Sequence, residues 1–309
     1  MPPPLPAGLS LMPFTVKEAA DAGVTVGRLR YRGFLIPSRG LRVPMTGQTV
    51  NRCADIRPYT LVTPFSAASH VTAFVLWEFP GFHPDADLPT IHISRPDTMA
   101  IARRRGVTGH VGQFFVDEIT SHQGILITTR ARTWLDCARK MSVDELTVAA
   151  DYLLRMPRPE FEARSEAFAS RADLEEMLDR HKGTPGIRKA RVALEQARVG
   201  SDSAPETRLR LVLEREGLPE PELNLRTQLG AGVVRQPDLA YPEHKVAVEY
   251  EGEVHSDAAQ IVRDIAREED FARAGWLLVR ISKRHTGGGG HAAVAKVRSA
   301  LVATGWTPK

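Results

Sequence analysis

The sequence predicts a multidomain protein of the α/β and α+β classes. Three observations carry that prediction. A chain of 309 residues is about two domains long, at roughly 100–200 residues per domain. Helical and strand patterns alternate irregularly along it, with no internal repeat. The small, polar stretch Gly200-Ser-Asp-Ser-Ala-Pro205 is followed by a sharp helix start and marks a boundary. Hydrophobic residues make up 42% and charged residues 25%, a mix that excludes a disordered chain, a coiled coil and a collagen-like repeat. No apolar run reaches membrane-spanning length; even the run ending Phe74–Trp77 falls far short. The start, Met1-Pro-Pro-Pro-Leu-Pro, lacks the basic and apolar regions of a signal peptide. Only Cys53 and Cys137 occur, which excludes a disulfide framework and a cysteine metal site. The expected compartment is the reducing cytoplasm, with no membrane partner.

Residues 1–13 are Pro-rich and are expected to be a disordered leader. Residues 14–60 form the first predicted domain. Thr15 is an N-cap with Glu18 three residues on, and Gly23 stops the helix. Thr25 opens a second short helix, Gly33 ends it, and Phe34–Val43 reads as a hairpin turning near Ser38-Arg-Gly40. Helix, turn, helix and basic hairpin is the layout of a winged helix-turn-helix. Residues 1–60 hold eight Lys/Arg against three acids, a net of +5, whereas 201–309 are close to neutral at −1. A basic end on a neutral body points to a polyanion there.

The middle domain, 61–198, mixes elements. Helices are expected over 66–77, 130–141, 143–155, 173–181 and 187–198, and strands over 90–94 and 124–128. Residues 199–205 are the expected linker. From 206 to 309 the pattern runs helix (206–216), strands (223–227, 233–241, 245–252), long helix (257–274), strand (276–281) and a last helix (291–303), an α/β sandwich.

The chemistry concentrates in Gln236-Pro-Asp-Leu-Ala-Tyr241 and Val246-Ala-Val-Glu-Tyr-Glu-Gly252. A turn centred on Glu243-His244 sets Asp238 directly opposite Glu249 on one sheet face, with Glu251 two residues on and on the same face. Three carboxylates so placed repel and raise one another's pKa unless a cation sits among them. Hard oxygen ligands at this density suit Mg²⁺ or Mn²⁺. The alternative is a solvated face, with Val246, Val248 and Tyr250 turned to the core, and a one-residue slip would undo the pairing.

Pro237-Asp238, then Glu249-Tyr-Glu251-Gly-Glu-Val-His255, Asp264-Ile-Ala-Arg267 and Gly275-Trp-Leu-Leu-Val-Arg280 in that order resemble the PD-(D/E)XK nuclease superfamily. The resemblance is closest to very-short-patch-repair endonuclease-like domains and covers about 203–285. Glu251 stands where those relatives have Asp, and no Lys occupies the third position of the E-x-K motif. The resemblance implies a restriction-endonuclease-like fold, with Asp238 and Glu249 as metal ligands and Glu251 as third ligand or base. It makes His255 a group that orients water or protonates the leaving oxygen, with a purely structural hydrogen bond as the alternative. Gln260, Asp264 and Arg267 share a helix face; Arg267 would contact phosphate, or simply pair with Asp264. Glu206 would lie near the metal in the superfamily, but Ser203-Ala-Pro-Glu206 is also a capping box, which explains the Glu without catalysis. Arg280 and Lys283 are candidates for the absent cation.

Phe14-Thr-Val-Lys-Glu-Ala-Ala-Asp-Ala-Gly-Val, Leu29-Arg and Leu35-Ile-Pro-Ser-Arg-Gly-Leu, with Phe65-Ser-Ala-Ala-Ser-His70, Ile91-His-Ile-Ser94 and Ile127–Asp136, resemble AbiEi-type antitoxins of type IV toxin–antitoxin systems over about 14–195. That resemblance implies that Thr25, Arg28, Tyr31 and Arg32 face the major groove or its phosphates and that Arg39 and Arg42 on the wing contact the backbone of double-stranded DNA. A winged helix used only for protein contacts is the alternative, and a toxin protein is an implied partner. Ser69-His70 and Arg132…Asp136 read as caps and structural ion pairs. Together the resemblances imply a DNA-binding protein with a Mg²⁺/Mn²⁺-dependent endonuclease-like domain, acting in toxin–antitoxin or phage defence. The alternatives are an antitoxin-like transcriptional regulator with a degenerate nuclease fold, and a protein-interaction module.

Overall fold

The computed structural model describes residues 4–30, 32–45, 52–159, 162–230, 232–252 and 258–308, with side chains of 258–262 left outside that description. The protein is mixed α/β with four sheets among the described residues. It divides into two compact units, Met1–Ser142 with Ala172–Arg191, and Val143–Arg171 with Val192–Lys309. No helix among the described residues is long and apolar enough to cross a membrane.

The first unit opens with α1 (Ala7–Leu11), β1 (Phe14–Thr15), α2 (Val16–Asp21), α3 (Val26–Leu29), β2 (Phe34–Leu35) and β3 (Leu41–Pro44). The strands form one antiparallel sheet in the order β1-β3-β2. The disordered leader expected over 1–13 is corrected over residues 7–11, while residues 1–3 lie outside the described residues. Residues 7–11 are helical, because Leu5 and Leu9 pack on the buried cluster of Phe14, Ala19, Leu29 and Phe34. The capping box expected at Thr15 and Glu18 is present, and Thr25 caps α3 through the Arg28 amide. Gly40 turns the hairpin at φ +82°, a conformation glycine adopts without strain.

The unit continues with α4 (Arg52–Leu61), β4 (Ala67–Ala68), α5 (His70–Leu76), β5 (Ile91–Pro96), β6 (Val107–Gly112), β7 (Ile119–His122), β8 (Ile125–Thr128) and α6 (Arg130–Cys137). Its second sheet runs β6-β5-β4-β8-β7. The helix expected over 66–77 begins only at His70, since Ala67 and Ala68 pair with Ser94 and Ile93 of β5. Thereafter α7 (Val143–Leu154) belongs to the second unit, α8 (Arg171–Arg180) mainly to the first, and α9 (Ile187–Gln196) runs through the division.

The second unit adds α10 (Ala204–Arg215), β9 (Glu222–Leu223), β10 (Thr227–Gly230), β11 (Val233–Arg235), β12 (Leu239–Tyr241), β13 (Val246–Glu251), α11 (Ala258–Arg273), β14 (Leu277–Ser282), α12 (Lys283–Thr286) and α13 (His291–Ala303). The stretch 199–205, expected to link domains, is packed inside this unit. Ser201 is buried and hydrogen-bonded to Thr207, and Ser203 caps α10. The strand expected over 233–241 is broken at Gln236-Pro-Asp238, where Pro237 has no amide to give to a ladder.

The main sheet is mixed, in the order β14-β13-β12-β9, with β13 and β14 parallel. Val246, Val248, Leu239, Tyr241, Val279 and Ile281 pack with Leu209 and Leu213 of α10 and Val294, Val297 and Leu301 of α13. On the opposite face Ala247 packs on Phe271 of α11. Both faces of the sheet are covered at their centre. Each fully buried Leu, Val or Phe contributes about 1.5–3 kcal/mol, so this sandwich has a core of its own.

Candidate functional site

The site stands on β12 and β13. Their register pairs Leu239 with Val248, Ala240 with Ala247 and Tyr241 with Val246. One step further in the same register, Asp238 faces Glu249. The 3₁₀ turn Pro242–His244 and Lys245 at φ +50° close the connection. Alternation puts Glu249 and Glu251 on the Ala247 face, the one that packs on α11.

The Asp238 carboxylate reaches across and accepts the Tyr250 amide at 2.7 Å. Burial, together with the negative charges of Glu206 and Glu249, pushes its pKa up to about 7, against the opposing pull of that amide and of Arg267. Glu249 is half-buried and accepts from Arg267 Nε at 2.5 Å. Arg267 also donates to the Gln236 carbonyl at 3.1 Å. Glu251, its side chain 47% exposed, accepts from Arg280 Nη1 at 2.8 Å. Arg280 lies opposite Glu249 in the parallel β13–β14 ladder and also bonds the Asp264 carbonyl.

Glu206 makes the contacts of the helix cap expected of it. Its carboxylate accepts from Ser203 Oγ at 2.7 Å and from the Asp202 amide at 2.9 Å, the contacts of a cap. It also adds to the charge that raises Asp238, and burial raises its own pKa. Arg267 is committed to Glu249 and Gln236 rather than to Asp264. Lys283 starts α12. Gln260 is on α11 with its side chain outside the described residues, and His255 lies outside them altogether.

Two further residues join the site. Asn224, at φ +47°, donates to the Gly200 carbonyl and, at 3.4 Å, to Glu206, while its amide bonds the Asp238 carbonyl. Gln236 donates to the Asn224 carbonyl at 2.7 Å. The only sequence signal for either is an Asn between two leucines, a residue type that tolerates the left-handed conformation.

The residue chemistry fits a divalent cation. Asp238, Glu249 and Glu251 offer oxygen alone, the donor type a hard divalent cation takes, and burial first, then the charges of Glu206 and Glu249, raises the Asp238 pKa. The expected convergence of the three carboxylates is absent, however. Arg267 and Arg280 hold the two glutamates, and among the described residues no group of three His, Cys, Asp or Glu side chains stands ready to hold a metal ion. A cation at this face would have to displace two guanidinium groups.

In the N-terminal sheet and helices, Thr25 uses its hydroxyl as a cap, and Arg28 lies over the Phe34 ring at 5.3 Å. Arg32 and Arg39 are exposed. Arg42 departs from the expected phosphate contact, because its guanidinium donates to the carbonyls of Leu29 and Leu41. Tyr31 lies outside the described residues.

No protein-family model matches the chain, and no solved structure matches it. The chain is 31% identical over 159 residues to two curated proteins of Mycobacterium tuberculosis, the uncharacterized protein MT2308 of strain CDC 1551 and the uncharacterized protein Rv2248 of strain H37Rv. The match takes in 51% of this chain and 55% of each relative, so the chain spans about half the length of the curated relatives it matches.

Proposed function

We propose that the second unit is a Mg²⁺- or Mn²⁺-dependent endonuclease-like domain that hydrolyses DNA phosphodiesters, and that the N-terminal basic segment is a winged helix binding double-stranded DNA. The observation that carries this reading is the β12–β13 register, which faces Asp238 with Glu249 beside a buried Glu206. The order helix-strand-helix-helix-strand-strand in residues 7–44 supports the winged helix. Asp238 and Glu249, with Glu251 as third ligand or base, would hold the cation, whose chemistry there is to polarise the phosphodiester and acidify water. The chain's own side chains contribute the rest. Asp238 is fixed by the Tyr250 amide, Arg267 is anchored to the Gln236 carbonyl beside Glu249, and Arg280 supplies positive charge where the sequence has no lysine. Released from the glutamates, either guanidinium suits a phosphate.

A second reading is favoured by the two arginine–glutamate pairs: a DNA-binding regulator whose nuclease fold is inactive. Plasmid and duplex oligonucleotides incubated with the protein in Mg²⁺ or Mn²⁺ decide between them. Cleavage is expected from the wild type and its loss in Asp238→Asn and Glu249→Gln, both of which keep low-salt DNA binding. Binding without cleavage in either metal identifies the regulator. No binding at low salt overturns both.

A further inference from the structure

The first unit contains a cavity of about 830 Å³ that the reading above does not use. Its floor is the β5–β6 ladder. His92 pairs with Thr108 and Ser94 with His110, so alternate residues of both strands face the same space. His70, the first residue of α5, stacks on His110 with ring centroids 3.6 Å apart and planes 13° apart. His92 Nδ1 and His110 Nε2 are 3.0 Å apart. His83 completes a group of four imidazoles. Burial keeps all four uncharged at neutral pH, with pKa values lowered to about 3 for His70 and His110 and about 4 for His83.

The hydrogen bonds decide what these rings offer. Ser94 donates to Ser69, so the Ser69 proton is available for His70 Nδ1, and the His70 proton sits on Nε2. The Asp85 amide donates to His83 Nδ1, which again leaves the proton on Nε2. With His70 Nδ1 and His83 Nδ1 taken, His92 bonded to His110, and no ready metal-binding group among the described residues, the cluster is arranged for a molecule rather than an ion.

The wall from α6 adds the polar determinant. Arg132 donates to Asp136 Oδ1 at 2.8 Å. Asp136 Oδ2 is buried without a hydrogen-bond partner, its side chain only 4% exposed and His70 Nδ1 3.9 Å away. An orphaned buried acceptor is unfavourable, and a donor group on a ligand would satisfy it. Arg139 and Lys182, both exposed, bring positive charge to the lining, and Phe114 brings an aromatic ring. The cavity is far larger than an inorganic anion needs and lies within the range of small-molecule sites.

We propose that this cavity binds a mononucleotide-sized phosphorylated ligand, with a sugar or base donor on Asp136 Oδ2, its ring system against the stacked imidazoles, and its phosphate toward Arg139 and Lys182. The required ligand has a hydrogen-bond donor at one end, a flat middle and an anionic end, and a nucleotide joins these three.

Calorimetric titration of the full chain with the four common ribonucleoside monophosphates, adenosine and inorganic phosphate tests this. At least one monophosphate should bind with a Kd on the order of 1 mM or tighter. Asp136→Asn should weaken it by about tenfold or more, as loss of a charged hydrogen-bond acceptor does. The exposed double variant Arg139→Ser/Lys182→Ser, which touches no core, should do the same. Retained adenosine binding in the double variant supports the proposed orientation. Inorganic phosphate binding as tightly as every nucleotide overturns the proposal, as does the absence of binding by any nucleotide. Nucleotide binding that survives both cavity variants but disappears in Asp238→Ala places it at the carboxylate face and overturns the proposal without touching the nuclease reading.

Discussion

Asp238 holds its proton more tightly than an ordinary aspartate, while His70, His83 and His110 hold theirs less tightly than an ordinary histidine. The two shifts act in opposite directions on stability. Asp238 titrates near 3.8 when unfolded and about 7 in the fold. Between those values only the folded state keeps the proton, so its contribution to stability is lost as pH rises from about 4 to 7. The imidazoles titrate near 6.5 unfolded and at about 3 to 4 in the fold. Below about 6.5 only the unfolded chain takes up their protons, so stability falls with pH until the folded values are reached. Acidification from pH 8 to 5 should therefore stabilise the second unit and destabilise the first. Hydrogen exchange of peptides from β13 and from the β5–β6 ladder reads the two separately. Asp238→Asn should flatten the response of the second unit alone. Parallel responses in both units would refute the assignment.

At the scale of elements, α7 and α10 are joined through a buried charge pair. Arg210 on α10, fully buried, donates to Asp151 on α7 at 3.0 Å, and Thr207 and the Arg198 amide bond the same carboxylate. Removing the guanidinium leaves Asp151 uncompensated, so Arg210→Ala should cost about 3–5 kcal/mol in chemical denaturation. The double change Arg210→Met/Asp151→Leu should cost much less, because no buried charge is then left unpaired; the other acceptor of Arg210, Glu214, is partly exposed and can turn to solvent. If the N-terminal segment binds duplex DNA as proposed, the commitment of Arg42 to two carbonyls leaves Arg28, Arg32 and Arg39 to contact phosphate. With Z about 3, log K for duplex DNA should fall with log[salt] at a slope of about −2.7, and Arg39→Ala should flatten it by about 0.9. A salt-independent interaction would exclude this mode of binding.

The same elements show what the sequence made legible. Capping chemistry is local, so Thr15 with Glu18 and Ser203 with Glu206 mark their helices correctly. A short antiparallel connection fixes its own register, so the pairing of β12 with β13, and hence the facing of Asp238 and Glu249, follows from the turn position. Contacts between distant segments were not legible in this way. His70, His92 and His110 meet only because β4, β5 and β6 lie side by side. β6 itself is Val-Thr-Gly-His-Val-Gly, a poor strand by composition. Its Gly109 reads as a loop residue, yet a Cβ there would come within 2.2 Å of the Ala102 carbonyl oxygen, so glycine is what permits the close approach. The arginines that bind Glu249 and Glu251 come from α11 and β14, and no periodicity announces which acids they choose.

For the whole molecule, the two proposed ligands fall on different units. The proposed cation should act on the second unit only. A ligand that binds the native state alone stabilises it by RT ln(1 + [L]/Kd), about 2.7 kcal/mol at a hundredfold excess over Kd. Mn²⁺ or Mg²⁺ should therefore raise hydrogen-exchange protection across β12 and β13 and leave the β5–β6 ladder unchanged. In Asp238→Ala that increment should vanish. Metal-free protection should hold or rise in the same variant, because both the burial of a carboxyl group and its repulsion by Glu206 and Glu249, which together raise the Asp238 pKa, are relieved. Arg267→Gln should shift the response the other way. It removes the cation that holds Glu249, and a divalent ion should then bind more tightly, at lower concentration, than in the wild type. If metal protects Asp238→Ala as well as the wild type, the ion binds elsewhere and the carboxylate face is not its site. If Asp238→Ala loses protection across the unit before any metal is added, the aspartate is a structural acceptor for the Tyr250 amide, and the nuclease reading loses its central residue.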